Sequence, residues 1–358
     1  MYEAVPVEFM NVLPNAQSGP RIPTLDGWRG IAVFMVMLSH FLPGYLNHPS
    51  WEQCLNLGQH GVQIFFVLSG YLITGNLLRE EKIHLGRFYV RRVFRLMPAA
   101  WSYLLFLGVL AVFTHMKTIG NDVWACLLFF RNYIPETGAN TCTEHFWSLS
   151  LEEQFYLAWP PILFVLGRRR AAWVAGGLAA ALGIYKWWAW SRPHSFFVFQ
   201  HTEMRADGLL VGCLLALVLE NGTVRGWLTR HATEIFWVCL IPLGWDYYQY
   251  QRDGLMTLHE SVLLALVIAS TSLRPLTLPG RLLEGQFLKS TGVMSYSIYL
   301  WQGLFLRSAW GMFGPLFLAM AFLLSWRFIE QPGIQWGRRL LGRRPIEENQ
   351  AKSVAVVS

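Results

Sequence analysis

HFWSLSLEEQFYLAWPPILFVL, residues 145–166, runs into Gly167 and then Arg168, Arg169 and Arg170. Its second half is apolar enough to sit in hydrocarbon, yet His145, Glu152 and Glu153 stand at its head. An ionisable group inside a membrane span costs several kcal/mol unless it faces a partner or a water-filled cavity, so each is a functional candidate. Seven helical positions make almost two turns and four make just over one, which puts His145, Glu152 and Tyr156 on one stripe. Glu152 and Glu153 point about 100° apart. Only Glu152 is therefore expected to face inward, with Glu153 serving the outer boundary, where a carboxylate suits the positive end of a helix dipole.

The stretch is one of about ten apolar windows, each close to the length that crosses roughly 30 Å of hydrocarbon. They lie at 28–46, 61–78, 96–115, 148–166, 171–190, 205–220, 232–248, 258–273, 290–308 and 312–329. The chain of 358 residues is 54% hydrophobic and 14% charged, against roughly 25% charged in a soluble domain. The expected fold is all-α, a polytopic membrane bundle with no separate soluble domain. The net charge of +7 does not point to nucleic acid, because its distribution follows the span ends. Arg79, Lys82, Arg87, Arg91, Arg92 and Arg95 follow the second window; Arg168, Arg169 and Arg170 the fourth; Arg225 and Arg230 the sixth. Arg274 and Arg281 follow the eighth window, and Arg338, Arg339, Arg343 and Arg344 the tenth. The opposite loops carry only Lys117, Arg131, Arg192 and Arg252. This positive-inside asymmetry predicts cytoplasmic termini. Residues 1–24 lack the basic start and apolar run of a signal peptide and read as a cytoplasmic segment; residues 25–340 form the membrane domain, and 341–358 a disordered cytoplasmic tail.

The five cysteines show no metal-ligand spacing, and no metal or resident cofactor is expected. Cys126, Cys213 and Cys239 read as packing residues, while Cys54 and Cys142 fall in outer loops where a disulfide is permitted. Two further clusters carry chemistry. In LDGWRGIAVFMVMLSH, residues 25–40, Arg29 and His40 are eleven positions apart, hence about 20° apart in direction and roughly 16 Å along the axis. They share a face that reads as a path through the protein. In RFYVRRVFRLMP, residues 87–98, Arg92 and Arg95 are helical neighbours, and Arg91 stands beside them. Guanidinium forks suit phosphate better than ammonium groups do.

IPTLDGWRGIAVFMVMLSH, GVQIFFVLSGYLITGNLL, FYVRRVFRLMP, HFWSLSLEEQFYLAWP, RADGLLVGCLLAL, MSYSIYLWQ and WRFIEQP occur in that order. Together they resemble the acyltransferase 3 family, bacterial integral-membrane enzymes that O-acylate carbohydrates and related acceptors. The resemblance covers about residues 22–340. It implies an acyl-coenzyme A donor at the cytoplasmic face, acetyl-coenzyme A being the expected one, and usually a carbohydrate or glycolipid acceptor at the outer face of the bacterial inner membrane. The family's pattern of Arg, ten residues and His falls on Arg29 and His40. Its WSL-x-x-E signature falls on Trp147, Ser148, Leu149 and Glu152, and its third-span motif on Arg92 and Arg95, with Phe94 where members often have another arginine. Asp26, His145, Trp147, Tyr156, Arg205 and Asp207 are read as supporting or acceptor-side groups. Many members carry a fused extracytoplasmic hydrolase-like domain; none follows the tenth window here, so the enzyme is expected to act alone or with a separate partner.

In this reading Arg91, Arg92 and Arg95 hold the coenzyme phosphates, His40 takes the proton of an acceptor hydroxyl, and Glu152 supports the imidazolium as a triad carboxylate does. Ser69, Ser148 and Ser150 lack a GxSxG turn, which favours direct transfer. The alternatives are the same chemistry on a cytoplasmic small molecule such as a macrolide sugar, or a transporter of a glycolipid or acyl compound. The latter predicts inverted repeats, and no internal repeat is visible.

Overall fold

The structure is a computed structural model that describes residues 22–46, 57–114, 120–134, 142–192, 200–253, 256–306, 310 and 313–342. Cys54, Lys117, Arg343 and Arg344, the first 21 residues and the tail from 343 lie outside them, as therefore does the Cys54–Cys142 pairing. The described elements are helical, and no strand occurs among the described residues.

Helices α1 (Pro23–Leu46), α2 (Leu57–Leu78) and α3 (Leu85–Thr114) correspond to the first three windows, α3 being extended backward through the arginine stretch. The short α4 (Gly120–Leu127) and a 3-10 turn at Arg131–Tyr133 fold the next connection onto α5 (Phe146–Trp190). Gln154 Nε2 donates to the Phe129 carbonyl at 2.7 Å and to Asn132 Oδ1 at 2.9 Å, holding that connection in place. α5 contains both the fourth and fifth windows, divided at Gly167, whose φ of 68° and ψ of 172° are non-helical. A left-handed φ at that position is cheap only for glycine. Next come α6 (Thr202–Val218), α7 (Gly222–Arg230), α8 (Ala232–Asp253) and α9 (Leu258–Leu273).

The ninth window, expected as one span, is broken. α10 (Leu278–Leu283) and α11 (Gln286–Val293) are short, and Met294 separates α11 from α12 (Ser295–Phe305) with φ −92° and ψ 3°. The reason is packing against α1. A Cβ on Gly27 would lie 2.1 Å from the Leu283 carbonyl oxygen, and one on Gly292 1.7 Å from that of Asp26. α13 (Gly314–Ser325) passes through a π-helical turn, Trp326–Glu330, into α14 (Gln331–Leu340). Pro332 has no N–H to donate, which removes a link of the regular ladder beside that turn.

The same close approach joins α2 and α6. A Cβ on Gly70 would sit 1.9 Å from the Leu209 carbonyl oxygen, and one on Gly212 2.1 Å from that of Val67. Small residues let helix backbones touch where lipid gives no hydrophobic drive to associate. Two apolar cores result: one among α1, α2, α5, α6 and α9, the other among α3, α4, α12, α13 and the start of α5. Helices α1 and α5 contribute to both, and the polar residues of interest lie along that seam.

The outward faces are apolar. Trp237, Ile241, Trp245 and Tyr248 form an exposed stripe on α8; Leu105, Val112 and Phe113 do so on α3, and Trp173, Ile184 and Trp187 on the second half of α5. Among the described helices, Leu57–Leu78 and Leu85–Phe113 are each long and apolar enough to cross a membrane. The pair Thr202–Val218 and Gly222–Arg230, bent by 104°, would make a third as a broken span.

Candidate active site

The seam brings α2, α3 and α5 to one polar cluster. Ser69 donates its hydroxyl to Glu152 Oε1 at 3.0 Å, and the Tyr156 hydroxyl donates to Oε2 at 3.3 Å. Arg92 reaches across from α3. Its Nε and Nη2 donate to Glu153 Oε1 at 3.1 and 2.9 Å, and Nη2 lies 3.7 Å from Glu152 Oε2. The guanidinium carbon sits 3.4 Å from the centre of the Tyr156 ring, a cation–π seat that desolvation strengthens. One arginine is thus held by two carboxylates and an aromatic face.

This corrects the expectation that only Glu152 faces inward. Both glutamates do, and Glu153 is buried while Glu152 is half-buried. The 100° between them is spanned because α3 lies across α5 and Arg92 is long enough to reach both. The helix begins at Phe146, so Glu153 lies about two turns inside rather than at a boundary. Glu152 directs its contacts to Ser69, Tyr156 and Arg92, not to His40.

Arg29 on α1 and Arg95 on α3 lie in electrostatic range of each other and of Glu330. Arg29 also feels Glu152, and Arg95 feels Arg92. Neither Arg29 nor Arg95 makes a hydrogen bond or ion pair among the described residues, and the Arg95 side chain is solvent-accessible. Glu330, at the end of the π turn, is buried and accepts a hydrogen bond from Ser297 at 2.7 Å. Arg91 points elsewhere, pairing with Glu80 at 2.5 Å. Phe94 is a packing residue: a Cβ on Gly337 of α14 would lie 2.7 Å from the Phe94 Cβ.

His40 is half-buried, and its Nδ1 lies 2.9 Å from the Val36 carbonyl oxygen. A carbonyl only accepts, so Nδ1 carries the proton and Nε2 is the basic nitrogen. His145 is buried at the start of α5, ringed by Tyr103, Phe146 and Tyr299. Trp147 lies under the Arg205 guanidinium, 5.4 Å from its centre, and Asp207 is fully buried with Lys186 at 2.7 Å. Asp26 is buried in the first turn of α1.

Several participants were not singled out from sequence: Ser69 as a donor to Glu152, Glu153 as the main partner of Arg92, Glu330, Lys186, and the buried pair His60–Glu260 at 2.7 Å. The signal for Lys186 and Glu260 lay in the rule applied to His40, since each is an ionisable group within an apolar window, while His60 and Glu330 stand one residue outside the windows that would have flagged them.

The family described as an acyltransferase domain matches residues 22–329. A peptidoglycan O-acetyltransferase of Listeria monocytogenes is 30% identical, over 78% of this chain and 48% of its own length. A Bacillus subtilis protein provisionally named a peptidoglycan O-acetyltransferase is 34% identical over the same shares of the two chains. A Staphylococcus aureus protein provisionally named an O-acetyltransferase is 31% identical over 94% of this chain and 61% of its own length. The chain thus spans about half the length of the first two relatives. No solved structure matches. Because that match covers most of the sequence, residues 22–329 and with them Arg29, His40, Arg92, Arg95 and Glu152, the chain belongs to the acyltransferase 3 family.

Proposed function

We propose that the protein is a membrane O-acyltransferase that moves an acyl group, acetyl by preference, from acyl-coenzyme A to a hydroxyl of a carbohydrate or glycoconjugate. The observation that carries this reading is the pair Arg29 and Arg95. Two guanidiniums that repel each other, with only Glu330 in electrostatic range of both and no ion-paired carboxylate among the described residues, call for an anionic ligand, and the coenzyme's phosphates supply one. Arg92, already neutralised by Glu153 and Glu152, braces the site more than it binds. Arg91 is a peripheral contributor at most.

The thioester arm would run along the α1 face toward His40. An acceptor hydroxyl attacks the thioester carbonyl carbon while its proton passes to His40 Nε2. The new C–O bond forms, the C–S bond breaks, and the leaving thiolate takes the proton back from the imidazolium. Atoms balance with no acyl-enzyme. A positioned base of this kind is worth roughly 10²–10⁴ in rate. The names of the relatives in Listeria monocytogenes and Bacillus subtilis support a cell-wall glycan as acceptor. The exposed apolar faces and basic exits support ten spans in the bacterial plasma membrane with cytoplasmic termini.

The test is transfer from radiolabelled acetyl-coenzyme A by purified protein in lipid nanodiscs, against peptidoglycan fragments, capsular polysaccharide and a macrolide. Alkali-labile label in a glycan is the expected result. Label in none of the acceptors, with coenzyme-dependent uptake in proteoliposomes, would replace the enzyme by a carrier.

A further inference from the structure

A second polar cluster lies where the starts of α2, α6 and α9 meet the ends of α8 and α5, and the transfer step above does not use it. His60 Nδ1 donates to Glu260 Oε1 at 2.7 Å. Gln63 donates to Ser261, Ser261 to Asp207 Oδ2, and Lys186 to Asp207 Oδ1, each at 2.7 Å. Arg205 lies over Trp147 and Phe66, with Nη2 3.4 Å from the Gln59 carbonyl oxygen. After these bonds, His60 Nε2, Gln63 Oε1 and Arg205 Nε still lack a hydrogen-bond partner among the described residues. Their side chains belong to residues only 7%, 0% and 4% exposed. Buried polar atoms are normally satisfied, and each orphan costs on the order of a lost hydrogen bond.

The chemistry of the orphans selects a ligand. Arg205 Nε–H is a donor and Gln63 Oε1 an acceptor; His60, donating through Nδ1, is an acceptor at Nε2 when neutral. Hydroxyl groups answer both kinds. Arg205 and Lys186 balance Asp207 and Glu260, so neither an anion nor a cation is favoured. Tyr247 and Tyr250 stand at 5.2 and 5.1 Å from the His60 ring, giving apolar faces of the kind that pack against sugar C–H groups. Tyr299 lies in electrostatic range of both Arg205 and Glu152, which places this cluster next to the active-site seam.

We propose that His60, Gln63 and Arg205 form an acceptor subsite that holds a neutral, hydroxyl-rich ligand such as a sugar ring beside the reaction cluster. The proposal rests on the acyl-transfer reading for its purpose but not for its test. Purified wild-type protein in nanodiscs is titrated with chitotetraose and with maltotetraose, with no coenzyme present. Binding of at least one is expected, and Gln63→Leu and His60→Leu should each weaken it tenfold or more. A diazirine derivative of the bound sugar should cross-link wild-type protein within residues 57–66, 202–209 or 246–264, an outcome that needs no variant to fold. Absence of binding, unchanged affinity in folded variants, or cross-links confined to other segments would each overturn the subsite. Binding that obeys these expectations without acetyl transfer would keep the subsite and remove the enzyme reading; transfer without them would do the reverse.

Discussion

Arg92 and Arg95 sit three residues apart in one motif, yet their surroundings differ, Arg92 being held by carboxylates and Arg95 by none among the described residues. The proposed function makes one a brace and the other a ligand, and alanine at each separates the two. Arg92→Ala leaves Glu152 and Glu153 facing each other with no cation between them. Removing one member of a buried pair costs about 3–5 kcal/mol. The Arg92 and Glu153 side chains are 19% and 10% exposed, so water screens them in part, and the lower end, about 3 kcal/mol, is the expected loss of stability. Adding Glu153→Gln should return part of it by removing one of the repelling charges. Arg95→Ala removes no ion pair among the described residues, relieves repulsion from Arg29 and Arg92 and gives up attraction to Glu330, which Arg29 still serves, so stability should stay about level. Donor affinity should instead fall by about 1.5–3 kcal/mol, the scale of a hydrogen bond to a charged group, or roughly ten- to a hundredfold. Thermal unfolding followed by size-exclusion fluorescence reads the first quantity, and equilibrium binding of acetyl-coenzyme A reads the second. If Arg92→Ala were as stable as wild type with donor affinity selectively lost, or if Arg95→Ala unfolded while donor binding per folded molecule held, the assignment of brace and ligand would be reversed.

His40→Gln should lower kcat by roughly 10²–10⁴ with donor affinity retained, because a proton acceptor acts in the transition state and not in ground-state binding; turnover within a few-fold of wild type would move the base elsewhere, His145 being the next candidate. Gly167→Ala should destabilise by about 1 kcal/mol through backbone strain alone, since no atom stands within 4 Å of the added methyl; an unchanged melting temperature would show that α5 tolerates a continuous helix there. In a background with Cys54 and Cys142 replaced by serine, Pro345→Cys should resist an impermeant maleimide added to intact cells and react after permeabilisation, and labelling from outside would sink the ten-span arrangement.

Much of this protein was written in its linear pattern. Apolar windows, basic exits and the scarcity of charge determined an all-helical bundle that exposes apolar faces, because burial in lipid depends on residue type summed over about twenty positions. The same summation cannot see the break at Met294, since hydropathy is alike for a straight helix and for two short ones packed on α1. Helical spacing also placed Glu152 beside Tyr156, a contact within one helix that 3.6 residues per turn fixes, and put Arg29 and His40 on one face though roughly 16 Å apart along it. What it could not fix was the partner across the gap. Whether Arg92 takes Glu152 or Glu153, whether Arg91 joins the site or pairs with Glu80, and whether Arg95 is left without a carboxylate depend on how α3 crosses α5 and where α14 presses on Phe94. The second is fixed by the close approach of Gly333 and Gly337 to Phe94 and Pro98 and the first by side chains that meet between helices distant in sequence, so the charge balance at each buried group was decided only when the helices packed.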